Sequence, residues 1–237
     1  MTWRVGRAFR TRKGFAYGAP AAEDVLRVRG TSSRPFVALA NAYDDGFATN
    51  WPAGSRLLLD ALEDPRPGSG GVREAFERAA EAFVRDAAML DRQFDEDWPP
   101  MEPNAALLLA CVDGPTTHVA WLGGALAVQW RDREPVAWTT PHTVLAEWAE
   151  RLPNHAAGLR GVLTRRIRGA TTSPELVSFA LRPGDRMLFV AGSGFEADVS
   201  ALARAARART PEKAAARAVK AGAGDEVFMA AACVELR

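Results

Sequence analysis

Two cysteines and three histidines are all the thiol and imidazole ligands in this chain. Cys111 and Cys233 each lie inside an apolar run, which reads as two buried thiols rather than a disulfide or a metal site. His118, His142 and His155 share no ligand spacing with one another or with a cysteine, so no zinc site is expected. No apolar run reaches the roughly 18 residues that a membrane-spanning helix needs. The opening stretch MTWRVGRAFRTRKG has no apolar core of the signal-peptide kind, and the cytoplasm is the expected compartment. A net charge of +1 leaves no electrostatic footprint for nucleic acid or an anionic membrane. P-loop, dinucleotide-binding and GxSxG signatures are missing as well.

One further absence is local. Arg182–Ser200, RPGDRMLFVAGSGFEADVS, reads as a turn, an apolar strand over Met187–Ala191, a sharp stop at Gly192-Ser193-Gly194 and a helix over Phe195–Arg207. A strand that ends in a glycine turn is well placed for chemistry. This turn holds no carboxylate, histidine or cysteine. Ser193 as a nucleophile would need a general base within hydrogen-bond reach, and the sequence names none.

What is present is an ordinary globular composition, 48% hydrophobic and 25% charged over 237 residues, enough for one large domain or two small ones. Strands are expected at Trp3–Arg10, Asp24–Arg29 and Phe36–Tyr43, then a helix over Gly54–Glu63 and a loop over Pro65–Gly71. Phe76, Ala79, Ala80, Phe83, Ala87, Leu90 and Phe94 recur at helical spacing within Val72–Phe94. Asp95–Asn104 is an acidic, proline-rich connector; with Trp51 and Trp98 it is a possible contact point for a partner. A block of strands follows at Ala105–Val112, His118–Leu122, Ala125–Trp130 and Pro135–Thr139, with hairpin turns between them. Thr143–Arg151 and Leu159–Ile167 are expected to be helical, Leu176–Leu181 and Val227–Leu236 to be strands, and Pro211–Ala221 a helix opened by its proline. Hairpins dominate over βαβ alternation, so the expected class is α+β, with mainly antiparallel sheets packed on helix pairs.

Taken in order, these segments resemble the metal-dependent type 2C Ser/Thr protein phosphatases, the PPM family, in their short bacterial form. Ala22-Glu23-Asp24 resembles the family's Asn-Glu-Asp motif, and Phe36–Asn41 the strand that leads to its Asp-Gly metal motif. Ala105–Trp130 resembles its apolar strand, Asp-Gly turn and Gly-Asp-Ser-Arg hairpin, and Thr140–Val144 its Thr-X-Asp-His-Ser segment. Val162-Leu163-Thr164-Arg165 is similar to its Leu-Thr-Arg turn, Pro183–Ser200 to the segment with Ser-Asp-Gly, and Gly224–Val227 to the final Arg-Asp-Asn-Val. The resemblance covers nearly the whole chain and implies a single domain, 1–237. The implied fold is a four-layer α-β-β-α sandwich of two mainly antiparallel sheets flanked by helix pairs. The implied chemistry is a pair of Mg²⁺ or Mn²⁺ ions, held by carboxylates, that activate water against phosphoserine or phosphothreonine.

The metal-binding positions depart from that plan. Glu23 and Asp225 are kept. Asn41-Ala42 replaces the bridging Asp-Gly, Ser193 replaces the aspartate of Ser-Asp-Gly, and Gly124 replaces that of Gly-Asp-Ser-Arg. The phosphate-binding arginine falls at Ala19 and the final asparagine at Glu226. Asp44, or Asp45-Gly46, could supply a substitute only if the strand ran further before turning. Two dications about 4 Å apart repel by about 16 kcal/mol at an effective dielectric of about 20. Asn41 and Ser193 are neutral and cannot offset that. The sequence therefore reads as a pseudophosphatase, a phosphatase-like domain that regulates by binding a protein partner such as a phosphorylated protein or a kinase. No metal is expected to bind tightly; Mn or Mg would be weak or single-site. The alternative is an active Mn/Mg-dependent phosphatase with a rearranged centre on Glu23, Asp44 or Asp45, and Asp225.

Overall fold

The computed structural model describes residues 2–11, 21–44, 49–50, 52–91, 103–148, 162–169, 173–192, 199–221 and 228–237. In chain order the elements are β1 (Trp3–Thr11), α1 (Ala22–Val25), β2 (Leu26–Thr31), β3 (Arg34–Asp44), β4 (Thr49–Asn50), α2 (Pro52–Asp60) and α3 (Gly68–Asp91). Then come β5 (Pro103–Asp113), β6 (Thr116–Leu122), β7 (Leu126–Arg131), β8 (Glu134–Trp138), α4 (Val144–Trp148) and β9 (Glu175–Ala180). The chain closes with β10 (Arg186–Gly192), α5 (Val199–Ala206), α6 (Pro211–Ala221) and β11 (Phe228–Leu236). One sheet runs β1-β11-β10-β7-β8; the other runs β2-β3-β5-β6-β9, with β4 beside β3. Each described pairing is antiparallel.

Strand alternation sorts the side chains into three apolar layers. On β3, Val37 and Leu39 join the core between the sheets, where they meet Ala230, Ala232 and Val234 of β11. Phe36, Ala38, Ala40 and Ala42 point the other way, onto α2 and α3 through Leu58, Leu59, Phe76 and Phe83. In the second sheet Leu126, Val128 and Trp130 pack outward on α5 and α6. Both sheets bury both faces, and the layer order is α-β-β-α. Gly6 of β1 permits the close approach of α6: a Cβ added there would lie 2.2 Å from the Glu212 backbone nitrogen.

Most expected strands lie within a residue or two of the observed ones. Asp24–Arg29 differs: its first two residues close the helical turn α1. α3 begins at Gly68, inside the stretch expected to be a loop. β5 begins at Pro103, so Asn104 is a fully buried strand residue rather than the end of a connector. The clearest correction is at Leu159–Ile167, whose described part, 162–167, is not helical. Ile167 exchanges backbone hydrogen bonds with Ala105 at 2.8 and 3.1 Å, and Leu163 bridges to Thr143. Apolar spacing suited to a helix was overridden by an open backbone edge that needed partners. Trp51, Trp98 and residues 95–102 lie outside the described residues. Trp138, on the edge strand β8, is the tryptophan found exposed among those described, at 52%.

Cys111 and Cys233 are free and buried. Burial raises both thiols; for Cys111 the Arg34 guanidinium opposes it in part, and Cys233 is pushed up to about 12. The thiolate is the reactive form. Native protein at pH 8 should therefore react with a disulfide reagent at least roughly a hundredfold more slowly than protein unfolded in urea. Fast labelling of either thiol in the native state would contradict the packing described.

Candidate functional site

The two sheets present a common end. β1 finishes opposite the start of β11 (Thr11 with Phe228), and Gly192 of β10 pairs with Met229. In the other sheet β3 finishes at Asp44 opposite Pro103, and β6 finishes at Leu122 beside the start of β9. Gly123–Ala125 crosses from β6 directly to β7, which ties these two ends together. The crossing is tight. Gly123 has φ +98°, and a Cβ there would stand 2.2 Å from the Ala106 Cβ. Glycine is the residue this connection accepts. Gly124 follows, half-buried, in the same crossing.

Glu23 lies exposed on α1. Its neighbour Asp24 is buried and committed. Oδ2 accepts the Ala21 backbone N–H at 2.7 Å, and Oδ1 accepts Arg56 Nε at 2.6 Å. Asn41 is 9% exposed on β3, paired with Ala106 of β5. Its Oδ1 is buried with no hydrogen-bond partner. The next residue, Ala42, donates its backbone N–H to Ser55 Oγ of α2 at 2.7 Å. The strand does not turn at Asn41; it continues to Asp44, which pairs with Thr49 of β4. Ala19, Asp45, Gly46, Ser193, Asp225 and Glu226 lie outside the described residues. No group of three or more His, Cys, Asp or Glu suited to a metal ion occurs among the described residues.

Beside the crossing is a cluster that the sequence pattern did not single out. His142 is 3% exposed and stacks on Trp121, with ring centroids 5.9 Å apart and planes 5° from parallel. The Gly123 backbone N–H donates to His142 Nδ1 at 3.2 Å, and the His142 backbone N–H donates to the Gly123 carbonyl at 2.9 Å. With Nδ1 accepting, the neutral ring carries its proton on Nε2, 3.1 Å from Glu175 Oε1. Burial pushes the imidazole below its ordinary value, and Glu175 opposes this in part. Arg165 also binds the Glu175 carboxylate. Thr164 donates its N–H to the His142 carbonyl at 3.0 Å and its hydroxyl to Glu147 at 2.7 Å. These bonds hold 162–167 extended across the end of β6. They also open a cleft of about 510 Å³ lined by Leu122, Leu163, Thr164, Arg165, Arg166, Arg168 and Ser173.

No protein-family model matches the sequence, and no curated protein matches it. Solved structures do match. The Mycobacterium tuberculosis Ser/Thr phosphatase PstP/Ppp aligns over 100% of both chains at 17% identity, with a TM-score of 0.73. The catalytic domain of PstP in complex with two manganese ions aligns over 99% of this chain and 100% of its own, at 17% identity and a TM-score of 0.68. PppA of Pseudomonas aeruginosa, described as a key regulatory component of a type VI secretion system, aligns over 99% of this chain and 98% of its own, at 18% identity and a TM-score of 0.70. The chain has the fold of the bacterial PPM-type Ser/Thr phosphatases, the family its ordered motifs resemble.

Proposed function

We propose that residues 1–237 form one PPM-type domain that has lost its dinuclear centre and works in the cytoplasm as a binding or regulatory module for a protein partner. The observation that carries this reading is Asn41. The position that the resemblance gives to the bridging aspartate, on an ungapped strand, holds a buried, neutral amide within β3. Its orphaned Oδ1 is a hard oxygen, so a single Mn²⁺ or Mg²⁺ could take it as one weak ligand. It brings no charge against the repulsion between two dications. Asp24 cannot compensate, since Arg56 and the Ala21 N–H already use its carboxylate. We take the partner to be a protein, because a net charge of +1 leaves no electrostatic footprint for nucleic acid or an anionic membrane.

Mn²⁺-dependent hydrolysis of p-nitrophenyl phosphate tests this, with Asp225→Ala as control. The expected result is no turnover above that control. Turnover that the substitution abolishes would favour the second reading, an active phosphatase with a rearranged centre. One observation supports that rival: β3 runs three residues past Asn41, so the acidic pair Asp44-Asp45 begins where the strand ends. Asp44→Asn or Asp45→Asn would then abolish the turnover.

A further inference from the structure

Positive charge gathers on the outer helix pair, away from the end where the two sheets meet. A groove of about 610 Å³ opens beside α5 and α6, lined by Arg204, Ala205, Arg207, Arg217, Lys220 and Ala221. Its four cations are all exposed, and no carboxylate lines it. Arg207 reaches Glu134 of β8 at 3.3 Å, and Arg217 leans on the Arg204 carbonyl at 3.5 Å. Among the described residues no carboxylate pairs with Arg204, Arg217 or Lys220. Glu212, the acid of α6, stands at the start of that helix and faces Arg4 at 3.8 Å. Cations in the last turn of a helix answer its free carbonyls, which accounts for Arg204 and Lys220 singly. It does not account for four cations around one groove in a chain whose net charge is +1. The groove continues onto β8 through Arg207 and Glu134. β8 ends its sheet, and its Val136 and Trp138 are 46% and 52% exposed. Trp138 pairs with Val128, which packs on the α5–α6 layer, so Trp138 lies on the helix side of the sheet, and Val136 follows it by alternation.

We infer that α5, α6 and β8 together form a docking surface for an acidic segment of a protein partner. Its carboxylates enter the arginine–lysine groove, and an apolar side chain beside them covers Val136 and Trp138. This rests on the binding-module reading and gives the partner a chemistry. Guanidinium forks match carboxylates in pairs of hydrogen bonds, and three cations without a carboxylate call for several negative charges spaced along a chain. An exposed tryptophan next to arginines is the usual make-up of an anchoring contact between proteins. Glu134 stands between the groove and the apolar pair. It would repel a continuous phosphate backbone, whereas discrete carboxylates can lie on either side of it. The surface uses no residue of the metal-binding positions, so docking needs no metal.

Fluorescence anisotropy of a labelled peptide of Asp-Glu-Leu repeats, measured on the full chain in EDTA, tests the inference. The expected result is binding at least about tenfold tighter than that of the neutral Asn-Gln-Leu peptide, the sum of a few exposed ion pairs. Arg204→Glu and Lys220→Glu should each remove most of that preference at an unchanged melting temperature, because both side chains are exposed. Lys213→Glu makes the same change of charge on α6 outside the groove and should leave the preference in place. Trp138→Ala should weaken both peptides severalfold and keep the ratio between them. Equal binding of the two peptides would overturn the inference, and so would equal losses in Arg204→Glu and Lys213→Glu, which would mean a response to overall charge. Displacement of the peptide by inorganic phosphate at peptide-like concentrations would show a small-anion site and overturn it too. Tighter capture of a single-stranded RNA probe would show a nucleic-acid surface, with the same consequence. Metal-dependent turnover would sink the lost-centre reading while leaving the EDTA result standing; equal binding of the two peptides without turnover would sink this inference alone.

Discussion

Asn41→Asp should make this protein both less stable and responsive to manganese. The residue is buried on β3, and its Oδ1 has no hydrogen-bond partner. A carboxylate in that place is a buried charge without compensation, at a cost of about 3 kcal/mol or more. For a chain of this size that corresponds to a fall of roughly 6–12 °C in melting temperature. Protonation removes the charge, so the deficit should shrink as pH falls from 8 to 5. Mn²⁺ then becomes the natural partner. At a hundredfold excess over its dissociation constant the ion returns about 2.7 kcal/mol, most of the loss. Calorimetric scans of both proteins with and without Mn²⁺ measure this. A rescue confined to the variant would place Asn41 at the bridging position. A wild-type shift as large as the variant's would mean the centre is already competent, and no shift in either would mean that position 41 lies away from any ion.

The fold was legible because its elements are simple. β3, β5 and β11 are long apolar strands, and α3 carries its buried residues at regular helical spacing. Hairpin signals such as Asp113-Gly114 mark the antiparallel pairings directly. The neutral residue at position 41 was also legible, since it needs only an ungapped strand. The strand's continuation to Asp44 was not, because β4 and Pro103 supply the pairing that extends it, and such partners are distant in sequence. Leu159–Ile167 misled for the same reason. Its residues at 162, 164 and 167 satisfy backbone groups of Val144, His142 and Ala105, and helical spacing carries no trace of that demand. The role of His142 was invisible too. A lone histidine beside a proline shows neither its stacking on Trp121 nor its bond to Gly123.

The opposite end of the sandwich is where a single substitution should cost most. Asp185 closes the turn before β10 and is 2% exposed. It accepts Gln129 Nε2 at 2.9 Å, Arg131 Nη2 at 2.7 Å and the Arg182 N–H at 3.0 Å. Gln129 continues to the Ala180 carbonyl at 2.9 Å, so the carboxylate links β7, β10 and the end of β9. Asp185→Ala leaves a buried amide and a guanidinium without their acceptor and should cost about 3–5 kcal/mol. Asp185→Asn keeps the shape but offers one acceptor, and should lose less. Burial alone would raise this carboxyl; the Arg131 guanidinium, the Arg182 N–H and the Gln129 amide outweigh it and hold the group below its ordinary value. A depressed value means the contribution is complete above the unfolded carboxylate range, about pH 4, and disappears as pH falls through the folded value. Urea midpoints for wild type and Asp185→Asn should therefore differ by a constant amount from pH 7 to 5 and converge below about pH 4. A gap that persisted at pH 2.5 would locate the loss in shape rather than charge. A gap absent at pH 7 would mean that the link between the strands carries no net stability, as happens when the desolvation of a buried ion pair cancels its attraction.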